Sequence, residues 1–160
     1  MRKHLSHFSQ LALLFVSAFG LLAQTQHITP FTGTWKVNLA KSKYSPGPPP
    51  RNAPTVSWAP DGTFMMEQVD DKGQTHKWTH PWSDGKEVPV QEIPMEGTQN
   101  DTVLSKYRDH TLDEMYKEGG KTVMTVHAVI SPDGRTETAT IHSTDEKGRP
   151  VHNIVICEKQ

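Results

Sequence analysis

The sequence predicts an all-β protein, an antiparallel up-and-down β-barrel of nine or ten short strands. Turn signals that supply Asp or Gly recur along the chain at the spacing of β-hairpins. The segments between these turns are short and rich in β-branched and aromatic residues, and none beyond the N-terminus has a convincing helical pattern. Because consecutive hairpins leave no long crossover connection, the pattern favours a meander that closes on itself.

The N-terminus has the pattern of a secretory signal peptide that lies outside the barrel domain. A basic start at residues 2–4 precedes an apolar run at 11–23, in which small residues permit cleavage after Ala23. The run is too short for a membrane-spanning helix, and an uncleaved membrane anchor is the alternative. We therefore expect a signal peptide helix at 1–23, a barrel domain at 24–160 and no membrane span after cleavage. The protein is expected to be exported, either to the periplasm or to the medium.

Charge and cysteine content restrict the classes of partner. The chain has 17 basic and 18 acidic residues, and cleavage after Ala23 removes two basic residues, which leaves 15 basic against 18 acidic. A weakly acidic domain without a basic stripe argues against nucleic acid or an anionic membrane as a partner. Cys157 is the only cysteine, which excludes an intramolecular disulfide and favours a half-buried structural thiol. The sequence leaves the oligomeric state open.

The predicted strands follow one another with a Pro-rich interruption after the first. Five prolines between residues 46 and 54 exclude a regular helix or a central strand, so we predict an extended loop at 44–54, over the surface or across one end of the barrel. A connector is the favoured role of this loop, with a lid and a docking strip for a partner as alternatives. The predicted strands are at about 31–38, 55–59, 63–69, 74–82, 86–93, 101–107, 110–117, 121–130, 135–143 and 150–158.

The first strand places a glycine next to a tryptophan on one face. Phe31, Gly33, Trp35 and Val37 share that face, and Gly33 leaves space beside the indole of Trp35, as a ring that plugs a barrel end requires. At these residues the chain resembles the lipocalin and fatty-acid-binding protein superfamily, the calycins, whose first strand carries a Gly-x-Trp signature. Together with residues 42–50, the same stretch resembles uncharacterised secreted bacterial lipocalin-like proteins.

The last strand adds to this resemblance. Residues 153–159 resemble the final strand of fatty-acid-binding proteins, so the resemblance implies a barrel in which the first and last strands pair around a ligand cavity. Two departures change what it implies about the ligand. The Pro-rich loop takes the place of the helix pair that caps the family's barrel. The Arg and Tyr that bind a fatty acid carboxylate fall at Val155 and Cys157, so carboxylate binding of that kind is not expected.

A row of aromatic and imidazole groups is the main candidate for ligand contact. His76, Trp78, His80 and Trp82 alternate onto one face of the strand at 74–82, where they can line an interior for a flat or aromatic ligand. The alternative is that the Trp rings fill the core and the His rings lie at its rim. On a strand His76 and His80 are about 13 Å apart, too far to share a metal ion, so no metal site is predicted. No cofactor is predicted either. The candidate ligand-binding residues are Trp58, Phe64, His76, Trp78, His80, Trp82 and Tyr107.

Catalytic motifs are absent from the sequence, so no catalytic residue is assigned. There is no nucleophile elbow, no dinucleotide- or phosphate-binding glycine loop and no His-Glu-x-x-His, and the adjacent Asp113 and Glu114 point to opposite faces of a strand. We expect an exported protein without catalytic activity that binds a small hydrophobic or aromatic molecule in the barrel interior. The alternatives are a cavity-free interaction or structural protein of the cell envelope, an enzyme with an unrecognised site at the barrel mouth, and a haem-binding barrel that uses His110, His127, His142 or His152.

Overall fold

The computed structural model describes residues 30–93, 101–145 and 147–160, so the predicted signal peptide lies outside the described residues. All the regular secondary structure in these residues is β-strand, and they contain no helix long and apolar enough to span a membrane. This confirms the predicted all-β antiparallel class. The described residues form one sheet of eleven strands, β1 (Gly33–Val37), β2 (Thr55–Trp58), β3 (Phe64–Val69), β4 (Thr75–His80), β5 (Glu87–Pro89), β6 (Gln91–Ile93), β7 (Asp101–Arg108), β8 (Thr111–Glu118), β9 (Lys121–Ile130), β10 (Thr136–Thr144) and β11 (Pro150–Lys159).

The sheet closes on itself through the segment that holds β5 and β6. The strand order is β5-β7-β8-β9-β10-β11-β1-β2-β3-β4-β6, so the two edge strands are neighbours in the chain, separated only by Val90. β5 pairs with β7, with Val88 opposite Val103, and β6 pairs with β4, with Glu92 opposite Trp78. One continuous segment therefore joins both edges of the sheet, which forms a nearly closed up-and-down barrel.

The strands predicted at 31–38, 86–93 and 74–82 differ most from the observed ones, and the first spans only Gly33–Val37, so Phe31 lies before it. The segment predicted as one strand at 86–93 is divided at Val90, where the chain leaves β7 and joins β4. The strand predicted at 74–82 ends at His80, because Pro81 has no N–H to donate to a sheet. Trp82 therefore lies beyond the strand, in the connection to β5.

The first and last strands pair, as the resemblance implied. Trp35 of β1 lies opposite Lys159 of β11, and Val37 lies opposite Cys157. The indole N–H of Trp35 donates a 2.7 Å hydrogen bond to the carbonyl of Phe31, and both rings are fully buried. Trp35 and Phe31 thus fill one end of the barrel, here named the closed end. The buried core that includes them also contains Val37, Trp58, Phe64, Leu112, Ala128, Ile130, Ala139 and Cys157.

The space beside Gly33 is occupied by a lysine. Gly33 has a φ of +126°, and a Cβ atom at this position would lie 3.0 Å from Cε of Lys159. The Nζ atom of Lys159 lies 5.0 Å from the centroid of the Trp35 ring, so the lysine covers the indole in a cation–π contact. The missing side chain of Gly33 therefore makes room for the lysine that covers Trp35.

Both ends of the Pro-rich loop are fixed by backbone hydrogen bonds. Lys43 pairs with Ile154 of β11, with N···O distances of 2.8 and 2.9 Å, and the N–H of His152 donates to the carbonyl of Ser45 at 2.8 Å. At the other end of the loop, the N–H of Val37 donates to the carbonyl of Pro54 at 3.0 Å. The loop therefore lies at the Val37 end of β1, away from the closed end of the barrel.

Candidate functional site

The barrel holds a cavity of about 480 Å³ between the sheet and the Pro-rich loop, here named the first cavity. Tyr44, Pro48, Pro50 and Pro54 form part of its wall, so the loop contributes to the cavity in addition to connecting β1 with β2. Cavities of this size hold small molecules in other proteins. Most side chains that the strands contribute to the wall are apolar, among them Val56, Met66, Leu112, Val126, Ile141 and Val155.

The polar lining of the first cavity is acidic or neutral. Its polar side chains from the strands include Gln68, Glu114, Glu137 and Asn153, and none of the described residues that line it is Lys, Arg or His. Val155 and Cys157, the positions to which the resemblance assigned the Arg and Tyr of fatty-acid-binding proteins, both line the cavity. Among the described residues, the wall of this cavity therefore offers neutral polar groups and carboxyl groups and no cationic group.

A second cavity of about 400 Å³ adjoins the first, because Phe64 and Met66 line both. Its wall comes from β3, β4, the β5–β6 segment, β7, β8, β9 and β10. The one Lys among its described lining residues, Lys117, is ion-paired with Glu87. The other lining residues include Trp78, His80, Val90, Asp101, Tyr116 and Met124.

An aromatic cluster lies between the cavities and the closed end. The imidazole of His80 stacks on the ring of Phe64 with 4.7 Å between centroids. Tyr107 packs edge-on against Phe31 of the closed end at 6.0 Å. Trp58 contacts three of the other rings, and Trp82 connects it to Tyr107. The rings therefore form one packed unit, whose members are Trp58, Phe64, His80, Trp82 and Tyr107.

The predicted ligand-contact residues divide between cavity wall and packing. The cavity walls include Trp58, Phe64, Trp78 and His80. The other three, Trp82, Tyr107 and His76, line neither of the two cavities. His76 stacks on Trp78 at 6.0 Å, and its ring nitrogens lie 3.5 Å from Oδ2 of Asp70 and 3.7 Å from Oε1 of Glu92. Ligand contact by all seven residues stays a prediction.

Glu114 is buried, and each of its carboxylate oxygens accepts a hydrogen bond. The hydroxyl of Ser105 donates to its Oε1 at 3.0 Å, and the hydroxyl of Tyr116 donates to its Oε2 at 3.0 Å. Ser105 is itself held by a 2.9 Å hydrogen bond from its N–H to Oγ of Ser83. Burial raises the pKa of Glu114 to about 7, although the two donated hydrogen bonds act in the opposite direction.

His80 extends this network to β4. Its Nδ1 lies 3.0 Å from the carbonyl oxygen of Pro81, and because a carbonyl only accepts, Nδ1 carries a proton. Its Nε2 lies 3.3 Å from the hydroxyl of Tyr116. Burial lowers the pKa of His80, which favours the neutral ring and leaves Nε2 as an acceptor. Tyr116 has one proton to donate, so protonation of Glu114 decides whether that proton faces Glu114 or His80.

Glu137 is also buried, but its carboxyl group lacks the hydrogen bonds that Glu114 accepts. Its residue is 7% exposed, and Oε2 has no hydrogen-bond partner among the described residues. Burial and, secondarily, the charge of Glu114 raise the pKa of Glu137 to about 7. Burial and the charge of Glu137 in turn raise the pKa of the Cys157 thiol, which lies directly opposite on β11. The two glutamates thus interact electrostatically across the first cavity.

The two glutamates were not among the sequence-predicted site residues. A signal for them existed, because Glu114 shares a strand face with Leu112, and Glu137 shares one with Ala139 and Ile141. The strands are too mixed in polarity for alternation alone to decide which face is inside. The prediction that Asp113 and Glu114 point to opposite faces holds, since Asp113 is exposed and Glu114 is buried.

The histidines considered for haem lie outside the barrel interior. His142 is directly opposite His152, and their exposed rings stack at 4.4 Å. Nδ1 of His127 lies 2.7 Å from Oδ1 of Asp113 on the outer surface, and His110 is exposed in a turn. In residues 30–93, 101–145 and 147–160, no three His, Cys, Asp or Glu side chains are grouped so that they can hold a metal ion.

Comparison with solved structures shows a calycin fold, as the resemblance of the first and last strands implied. A crystal structure of zebrafish ileal bile acid-binding protein complexed with cholic acid matches with a TM-score of 0.54 and 13% identity, over 82% of this chain and 100% of that chain. The crystal structure of the wild-type fluorescent protein UnaG matches with a TM-score of 0.50 and 15% identity, over 81% of this chain and 97% of that chain. No protein-family model and no curated protein matches the sequence.

Proposed function

We propose that the protein binds a small apolar or aromatic molecule inside its barrel, as an exported binding protein without catalytic activity. The observation that carries this proposal is the first cavity of about 480 Å³, which has a mainly apolar wall and the Pro-rich loop along one side. Small-molecule sites have volumes of roughly 300–1,000 Å³. A ligand in this cavity gains about 25 cal/mol for each Å² of apolar surface removed from water. The zebrafish fold relative is a complex with cholic acid, a small molecule, which supports small-molecule binding by this fold.

A cavity-free interaction or structural protein of the cell envelope is the competing function. Such a protein would fill its barrel with side chains, whereas this barrel has cavities of about 480 and 400 Å³. The internal volume therefore favours the binding function. Export rests on the signal-peptide pattern of residues 1–23, and the mass of the protein isolated from its native host tests cleavage after Ala23.

Native mass spectrometry of the protein from its native host tests for a resident ligand. Excess mass that disappears on denaturation is expected and begins to identify the ligand. The same preparation, stripped of ligand, is then titrated with Nile red, a neutral aromatic dye whose fluorescence rises in apolar sites. We expect saturable uptake of the dye by the stripped protein.

Matched variants locate the dye. Ala139→Phe fills the first cavity, whereas Thr140→Phe places the same ring on the outer face of β10. Nile red uptake is expected to fall strongly in Ala139→Phe and to persist in Thr140→Phe, with circular dichroism as the check on folding. If Ala139→Phe does not fold, Val155→Phe makes a smaller increase in volume in the same wall. Absence of dye uptake by the wild type, or full uptake by the filled variant, contradicts the proposal.

A further inference from the structure

The first cavity has two acidic side chains in its wall. Glu114 and Glu137 both line it, and its described lining residues include no Lys, Arg or His. Lys117, on the second cavity, is already ion-paired with Glu87. A buried carboxylate without a partner is destabilising, so this wall has an unfilled capacity for a donor or a positive charge.

The unfilled capacity lies at Glu137. Both oxygens of Glu114 accept hydrogen bonds from the protein, one from Ser105 and one from Tyr116. Oε2 of Glu137, by contrast, is buried and has no hydrogen-bond partner in the part of the chain that the structure describes. A buried acceptor without a partner indicates a ligand that supplies the donor.

Glu137 lies at the deep end of the first cavity. It is opposite Cys157, which is opposite Val37, and the next inward-facing pair toward the closed end is Trp35 with Lys159. The first part of the Pro-rich loop, by contrast, is hydrogen-bonded along β11 at Ile154 and His152, on the side of Cys157 that faces away from the closed end. A ligand oriented along the barrel can therefore place its polar head at Glu137 and its apolar body against the strands and the loop.

We propose, building on the binding function proposed above, that the first cavity selects an apolar or aromatic molecule with a cationic amine, which donates hydrogen bonds to Glu137. An ammonium group supplies both the donors and the positive charge that a buried carboxylate lacks, and such charge-assisted hydrogen bonds are stronger than neutral ones. A carboxylate ligand would add a third acid to Glu114 and Glu137, so the same wall discriminates against it. The selectivity is opposite to that of the Arg and Tyr pair in the family the chain resembles.

Three ligands with the same ten-carbon chain test this selectivity: decylamine, decanol and decanoic acid. Their dissociation constants are measured by isothermal titration calorimetry at pH 8, with the stripped wild type and two variants. Glu137→Gln keeps the shape and removes the charge inside the cavity. Glu118→Gln makes the same change at an exposed position at the end of β8.

The wild type and Glu118→Gln are expected to bind decylamine about tenfold or more tightly than decanoic acid. Glu137→Gln is expected to lose most of this preference while Nile red uptake is retained. Equal affinity of the wild type for the amine and the acid, or an unchanged preference in Glu137→Gln, overturns the amine selectivity and leaves the binding function intact. If the wild type takes up no Nile red and binds none of the three ten-carbon ligands, the binding function and the selectivity are both contradicted.

Discussion

The hydroxyl of Tyr116 donates a 3.0 Å hydrogen bond to Oε2 of Glu114, and both side chains lie in the barrel interior. The same hydroxyl is 3.3 Å from Nε2 of His80, which lies 3.7 Å from Oε1 of Glu114, so the tyrosine can hydrogen-bond with either an acid or a base. When Glu114 is protonated, its O–H can donate to Tyr116, and Tyr116 can donate to His80. When Glu114 is ionised, Tyr116 donates to the carboxylate. Hydrogen bonding in the barrel wall therefore changes with the protonation of Glu114, near neutral pH.

The first prediction concerns stability and pH. Glu114 and Glu137 have an ordinary pKa of 4.5 and a pKa of about 7 in the fold. Between these pH values the folded chain binds more protons than the unfolded chain, so the free energy of unfolding falls as the pH rises from 4.5 to about 7 and levels off above that. Each carboxyl contributes about 3 kcal/mol to this loss. Urea denaturation at pH 5 and pH 8 measures it.

A variant separates Glu137 from the other titrating groups. Burial lowers the pKa of His80, so His80 acts in the opposite direction and reduces stability as the pH falls below its ordinary value of 6.5. Glu137→Gln is therefore compared with the wild type at each pH. We expect similar stability at pH 5 and a gain of about 2–3 kcal/mol in the variant at pH 8. If the variant and the wild type differ in free energy of unfolding by the same amount at pH 5 and pH 8, Glu137 is not a buried acid without a partner. Glu118→Gln, at an exposed position, is the control.

The strands and turns were predictable from the sequence because they depend on local chemistry. Turns with positive-φ glycines, such as Gly62 and Gly134, appear where Asp-Gly pairs predicted them. The division of the predicted strand at 86–93 was not predictable, because it depends on which distant strands form the two edges of the sheet. The same limit applies to Glu137, since the alternation assigns it to a face and only barrel closure shows that this face lines a cavity.

The second prediction concerns ligand affinity and pH. If an ammonium pairs with Glu137, the affinity for decylamine should rise about tenfold from pH 6 to pH 8, because the carboxyl ionises over this range while the amine stays charged. The other titratable groups that line the same cavity are Glu114, Cys157 and Tyr44. The residue opposite Glu137 on β9 is Ile130, which does not titrate. The pKa values of Cys157 and Tyr44 are raised by burial, so neither becomes charged in this range, whereas Glu114 makes the dependence steeper.

Calorimetric titrations at pH 6, 7 and 8 measure this dependence, with decanol as the uncharged comparison. The affinity for decanol should not rise with pH. A decylamine affinity that is level across the range, or a rise that persists unchanged in Glu137→Gln, would show that the carboxyl of Glu137 does not meet the amine.

The third prediction concerns the close packing of Trp82 against the turn at Gly62. Gly62 and Gly73 both lie in turns with positive φ, at +85° and +81°, but a Cβ atom at Gly62 would lie 2.8 Å from Cβ of Trp82, whereas nothing lies within 4 Å at Gly73. Both alanine variants share the cost of an L-residue at positive φ. Gly62→Ala should lose about 1–3 kcal/mol more than Gly73→Ala, because the packed Trp82 must move. Equal losses in chemical denaturation would mean that Trp82 is not held against this turn.

The fourth prediction concerns Trp35, which we assign to closure of the barrel end and not to ligand contact. Its indole is fully buried, donates to the carbonyl of Phe31 at 2.7 Å and is covered by Lys159. Trp35→Ala should lower the free energy of unfolding by about 3–5 kcal/mol, because it removes a large buried ring and leaves a void. The adjacent Lys36→Ala, on the exposed face of β1, should change it by about 0.5 kcal/mol or less. An unchanged melting temperature in Trp35→Ala would remove the assignment, and a stable variant that loses only Nile red uptake would move Trp35 to the ligand site.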